Sequence, residues 1–287
     1  MGELHQQLLK QGDAHPLDKS HFLWLISYFL PIACQLNDVN MEHLKDVLTI
    51  DLLCYLTWEA VRQTEKLEMC ALQPYSAAVD LKANARRLHL CVKAIREYLK
   101  TLERLSRRPN LNNSGFTQIG CENSIIQLDG YVPAIRDLRQ LFLLQLRRFN
   151  PIVQCRSYLV DVISANHILL LTLERVSSCS HQQQPSFDFN QHLTQFCSKT
   201  ILDRYGTALE DFKNNGPYVN DCILTLLYHV AGDLGGLDLL CEPAILRPFS
   251  EIWKQEFDVN NRQMLYVKSE LFKCFSFICR CVTSGTI

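Results

Sequence analysis

Apolar residues recur at helical spacing along nearly the whole of this chain, and no stretch alternates long enough to make a half-buried strand. Leu88, Cys91, Val92, Ile95, Leu99 and Leu102 define one face of a helix over Leu81–Ser106. Lys93, Arg96, Glu97, Lys100 and Glu103 fall on the side expected to meet water. Arg104, Arg107 and Arg108 crowd its C-terminal end, where cations oppose the negative pole of the helix dipole, and Pro109 stops it.

The same reading continues in both directions. Ser20 is placed to cap a helix whose face carries Phe22, Leu25, Ile26 and Phe29, with a bend expected at Pro31, and Asn40 and Thr49 are placed to cap two more. Tyr131-Val132-Pro133 opens a helix that sends Ile135, Leu138, Leu141, Phe142 and Phe149 inward. Leu143, Leu144 and Leu146 widen that face, so this helix belongs in a central layer. Pro151 ends it, and a further helix over Cys155–Val176 carries Leu159, Val162, Ile163, Leu170 and Leu173 along one side. Tyr205–Leu240 holds two amphipathic segments joined by Asn214-Asn215-Gly216, the second opening on Pro217 and closing on the glycines of Gly232–Gly236. The glycine cluster follows a helix, which fits a C-terminal cap and not a phosphate cradle. Asn110–Gly130 and Ser177–Ser186 lack a buried face and are expected to be exposed, mobile loops. Helix pairs with short connections imply an all-α single domain over 1–287, an α-solenoid of armadillo or HEAT type, although no clean repeat period marks it.

Composition excludes several classes. With 287 residues, 47% hydrophobic, and a net charge of -1, the chain can bury a large core and has no general excess of Lys and Arg for phosphate binding. The longest apolar stretch, Phe22–Leu36, is shorter than a membrane span needs, and Met1–Asp13 has no secretory character. A soluble intracellular protein is expected. The 13 cysteines are spread along helical stripes, as at Cys91, Cys155 and Cys222, and are expected to be reduced and metal-free. Cys274, Cys279 and Cys281 cluster but lack the paired spacing of a structural zinc site.

A search for catalytic groups comes back empty. There is no glycine-rich dinucleotide fingerprint, no P-loop and no nucleophile elbow, so neither an enzyme nor a cofactor is expected. His89, His167 and His229 sit singly on helices, and no spacing argument pairs Asp211, Asp221 or Asp233 as acid and base. The basic pairs Arg86-Arg87 and Arg147-Arg148 each adjoin a large apolar helix face. Solvation or internal ion pairing accounts for such residues, and docking of a partner's acidic or helical segment is the sharper alternative.

Particular wording carries more than periodicity does. His21–Leu30 (HFLWLISYFL), Met41–Leu56 (MEHLKDVLTIDLLCYL), Arg86–Leu90 (RRLHL), Leu138–Pro151 (LRQLFLLQLRRFNP), Asn166–Leu171 (NHILLL) and Tyr205–Leu240 occur in an order that resembles the Timeless family, most closely its insect circadian-clock branch. Leu209–Leu234 is similar to the clock version, and Ser177–Ser186 is short where vertebrate members carry a long acidic insertion. Asn110–Gly130 looks expanded against the family, and Pro31 stands where relatives generally lack proline. Glu3–Lys10 resembles the inside of an interior helix, so the chain reads as a piece, corresponding to the region associated with Period binding. The resemblance implies a non-enzymatic armadillo/HEAT-like scaffold of nucleus and cytoplasm. It would bind Period, support its nuclear entry and transcriptional feedback, and be turned over in light through Cryptochrome. The other branch implies replication-fork protection with a small partner and checkpoint signalling.

Overall fold

A computed structural model describes residues 19–35, 44, 46–72, 78–107, 127–179 and 187–258. Every regular element among them is helical, and no strand occurs. The α1 helix spans Lys19–Gln35, α2 Ile50–Ala71, α3 Ala78–Ser106, α5 Arg156–Cys179 and, between the last two, α4 Arg136–Arg148. There follow α6 Phe189–Thr194, α7 Lys199–Leu209, α8 Phe212–Asn215, α9 Pro217–Gly232, α10 Leu237–Leu240 and α11 Pro243–Asp258. The all-α expectation holds.

The chain divides into two compact units, one within Met1–Phe142 and Ile168–Phe187, the other within Leu143–His167 and Asp188–Ile287. In the first, α1 and α2 both pack on α3. Thr49 caps α2 by accepting the Leu52 N–H at 3.2 Å, while its own carbonyl accepts the Tyr98 hydroxyl of α3 at 2.9 Å. At the far end the Asn84 amide of α3 lies 3.4 Å from the Cys70 sulfur of α2, so the two helices run antiparallel. With neighbours on two sides, α3 is wetted less than its charge pattern implies. Glu97, expected to face water, is buried beside Arg96, 2.7 Å away. Burial there takes an acidic side chain inward only with its cation attached.

Other expectations need adjustment. Ser20 lies inside α1, not at its cap, and the helix continues past Pro31 to Gln35. Pro133 sits in a 3-10 turn, Val132–Ala134, and the α-helix starts afterwards at Arg136. Residues 127–130, placed in a loop by the sequence, are helical, because Leu128 is buried and the Asp129 carboxylate meets Arg175 of α5 at 2.6 Å. The rest of that expected loop, 110–126, lies outside the described residues, as do 180–186 and Asn40, while 177–179 complete α5. Helix α5 is buried on every side over 161–170, not along one stripe. Of its buried polar side chains, Ser164 donates to the Val160 carbonyl of the same helix at 2.8 Å and Asn166 to the Tyr205 hydroxyl at 3.2 Å.

The second unit is built on α7, which packs against α9 and α11. Ser198 caps α7, Pro217 occupies the first turn of α9, and Gly216 links α8 to α9 with φ +77°, a left-handed backbone that favours glycine. The glycine cluster after α9 caps a helix as expected: Asp233 and Leu234 donate to the His229 carbonyl and Gly236 to that of Val230.

Candidate interaction surface

The most organised polar cluster in the first unit surrounds Glu59 of α2, which is 2% exposed. A buried carboxylate must be paired or hydrogen-bonded to stay charged. Gln63, one turn on, donates to Oε1 at 2.6 Å, and Oε2 lies 3.7 Å from Lys19 Nζ and 3.6 Å from Arg62 Nε. These two cations also flank the exposed ring of Trp58, Lys19 at 5.7 Å and Arg62 at 5.2 Å from its centroid. Glu59 thus fixes both charges beside an aromatic face, where each gains a cation–π attraction.

The positive region extends beyond this pair. Lys66 is exposed on α2, one turn beyond Arg62, and its ammonium is held below the ordinary lysine range, first by partial burial and then by the charge of Arg62, with Arg87 and Lys19 contributing. Glu59 opposes them. Arg87 is one of the sequence-predicted docking residues. It and Arg86 are exposed on α3, and Arg87 belongs electrostatically to the Lys19, Arg62 and Lys66 group. The other predicted pair belongs to the second unit. Arg147 and Arg148 are exposed in the last turn of α4, with Arg147 reaching the Gln195 carbonyl at 3.3 Å.

Lys19, Trp58, Glu59, Arg62 and Lys66 were missed by sequence reasoning. The i, i+4, i+8 spacing of Trp58, Arg62 and Lys66 is a readable signal. That Lys19 would join them from α1 is a tertiary fact.

The groups weighed for chemistry serve other ends. Asp211 pairs with Arg156 at 3.4 Å and Asp233 with His229 at 2.5 Å. His167 is buried, edge-on to Tyr218. Among the described residues no three His, Cys, Asp or Glu side chains are grouped to hold a metal ion, and Cys34, Cys54, Cys70, Cys91, Cys155, Cys197, Cys222 and Cys241 are free thiols. Cys91 and Cys222 are buried as expected, whereas Cys155 is exposed, since it precedes α5 instead of lying on its face. Cys54 is also exposed, but partial burial and the charges of Asp51 and Asp137 raise its thiol pKa, which disfavours the nucleophilic thiolate. No helix among the described residues is long and apolar enough to cross a membrane.

Fold and surface together define an all-helical protein whose exposed chemistry, in the first unit, is cations set against aromatic rings. A family model described as "TOF1-like, helical domain" matches residues 199–284. The chain is 42% identical over 257 residues to Protein timeless of Drosophila melanogaster, covering 90% of this chain and 18% of that protein. It is 41% identical over 248 residues to Protein timeless of Drosophila hydei, covering 86% and 35%. Against the human Protein timeless homolog the figures are 27% over 177 residues, 61% and 13%. The chain belongs to the Timeless family, and over most of its length it is similar to the insect proteins, of which it spans about a fifth to a third.

Proposed function

We propose that this chain is the partner-binding helical part of a circadian-clock scaffold with no enzymatic activity. In this reading it binds Period, supports Period's entry from cytoplasm to nucleus and its negative feedback on transcription, and is turned over in light through Cryptochrome. The observation that carries the choice of branch is the contrast in similarity: 41–42% identity over most of the chain with the insect proteins, against 27% over 61% of it with the human homolog. The cationic, aromatic surface around Trp58 suits recognition of another protein, since arginine and tryptophan are the residues on which such interfaces concentrate their energy. Co-precipitation of the 287-residue chain with Period, run beside the small replication-fork partner, tests the reading. Capture of Period alone is expected. Capture of the fork partner alone would move the protein to the replication and checkpoint branch.

A further inference from the structure

One face of α2 carries Trp58, Arg62, Lys66 and Met69 at i, i+4, i+8 and i+11, so these side chains share a single stripe. Trp58 is 53% exposed and Met69 62%, and Leu72 just beyond the helix is 80% exposed. Lys19 from α1 lies over the Trp58 ring, and the charge of the exposed Arg87 on α3 is felt at Lys66. The acids here are Glu59, which is buried, Glu65, which is exposed, and Glu68, which is half-buried beside Met69, against the four cations Lys19, Arg62, Lys66 and Arg87. The stripe is therefore net positive at its centre and apolar at its ends. Scattered surface hydrophobes need no explanation, but a tryptophan held between cations anchored by a buried carboxylate is a pre-positioned arrangement.

We infer that this stripe of α2, flanked by Lys19 and Arg87, is a docking site for an acidic amphipathic helix of a protein partner. The inference rests on the scaffold reading above and names the surface that would serve it. An incoming helix with carboxylates on one edge meets Arg62, Lys66 and Arg87, where arginine can fork to a carboxylate, while its apolar edge covers Trp58 and Met69. A nucleic acid fits less well. Its backbone asks for an extended cationic track, and here Glu65 interrupts the cations and Met69 and Leu72 prolong the face with groups that offer a phosphate nothing.

The test uses the 287-residue chain and a fluorescein-labelled 15-residue amphipathic peptide of Glu, Leu and Ala, read by fluorescence anisotropy. Matched probes are the same peptide with Lys for Glu and a single-stranded DNA of 15 nucleotides. The Glu peptide is expected to bind with an affinity that falls as salt rises, and the Lys peptide and the DNA to bind at least tenfold more weakly. The double reversal Lys66→Glu with Arg87→Glu, both at exposed positions, should weaken the Glu peptide at least tenfold. Trp58→Ala should weaken it severalfold without changing its salt dependence. Reversal of Arg147 and Arg148 should leave it within twofold. No binding by the wild-type chain, unchanged binding by the Lys66/Arg87 variant with an intact circular dichroism spectrum, or equal binding of the DNA would each overturn the assignment. So would self-association abolished by that variant, which gives the face to a second copy of the chain. Where the double reversal does not fold, Lys66→Ala with Arg87→Ala is read in its place. Period co-precipitation separates the two levels: if Period binds wild type and variant alike, the scaffold reading stands and this surface falls.

Discussion

Gly206 lies inside α7, where a helix ordinarily gains from alanine, yet this position has no room for one. A Cβ built there would stand 2.4 Å from the carbonyl oxygen and 2.9 Å from the carbonyl carbon of Ala244, at the start of α11. It would also meet Ile245 Cγ1 at 3.4 Å. The obstacle is backbone, so no rotamer change relieves it, and the helices must part by roughly 1 Å to restore ordinary contact. That opening falls where Ile201, Leu202, Tyr205, Ile245 and Phe249 are all buried. Overpacking of this kind costs about 1–3 kcal/mol, and the better helix propensity of alanine returns about 1 kcal/mol. Because the clash is with main chain, Gly206→Ala is expected to destabilise by about 1–2 kcal/mol net. Gly232→Ala is the control. It closes α9, has nothing within 4 Å of the added carbon, and should be neutral or stabilising by up to about 1 kcal/mol. Urea unfolding followed by circular dichroism at 222 nm, compared at equal slope, reads both. Equal midpoints for the two variants would show that α7 and α11 do not approach this closely.

Tyr205→Phe should cost about 1–3 kcal/mol in the same assay, because it leaves the Asn166 amide of α5 buried without its hydroxyl acceptor; a neutral result would mean the amide finds another partner. Thr49→Ala removes the cap of α2 and should cost about 1 kcal/mol, with Thr49→Ser restoring most of it. Asp129 tests which of two opposed effects wins. Burial raises its carboxyl pKa and Arg175 opposes this, with a net upward shift, so the folded chain holds the proton more tightly than the unfolded one. Stability contributed by this group is therefore present at low pH and declines as pH rises from the unfolded value through the raised folded one. Urea midpoints of wild type minus Asp129→Asn should fall across that acidic window and then level off; a difference that grows with pH would mean the Arg175 pair outweighs burial.

Much of the fold was legible because a surface helix must declare its buried side. Leu88, Cys91, Val92, Ile95, Leu99 and Leu102 were read as one face and are all fully buried. Periodicity failed where helices have neighbours on more than one side. Glu97 and the polar residues of α5, Asp161, Ser164 and Asn166, look like solvent positions in sequence but are buried, and Asn166 owes its partner, Tyr205, to a segment distant in the chain. Leu128 and Asp129 were lost to a loop for the same reason, since Arg175 is far away in sequence. The basic pairs were visible as residues, but only the fold distinguishes them. Arg87 joins a charged group that includes Lys19, while Arg147 reaches the backbone of Gln195.

The most family-specific wording, Leu209–Leu234, has a structural explanation that bears on where specificity resides. Asn215 donates to the Ala208 carbonyl at 2.7 Å and to Asn220 Oδ1 at 3.2 Å, and Asn220 donates to the Phe212 carbonyl at 2.7 Å. Arg156 reaches the same Ala208 carbonyl at 2.8 Å. Short helices such as α8 leave most of their terminal carbonyls without partners in the helix, so a tight reversal there requires side-chain donors at fixed offsets. Asparagine supplies two donors on a short stem, and Gly216 supplies the positive φ that lets α9 leave in its own direction. Substitutions in this turn disturb a hydrogen-bond network and the helix ends it joins, which accounts for such recognisable wording without any partner contact. Partner contacts have no comparable requirement for neighbouring residues. The surface around Trp58 draws on α1, α2 and α3, and Lys66 and Arg87 are exposed there. The turn at Gly216 thus rests on donors at fixed offsets in one segment, whereas the proposed docking surface is gathered by the fold from separate segments.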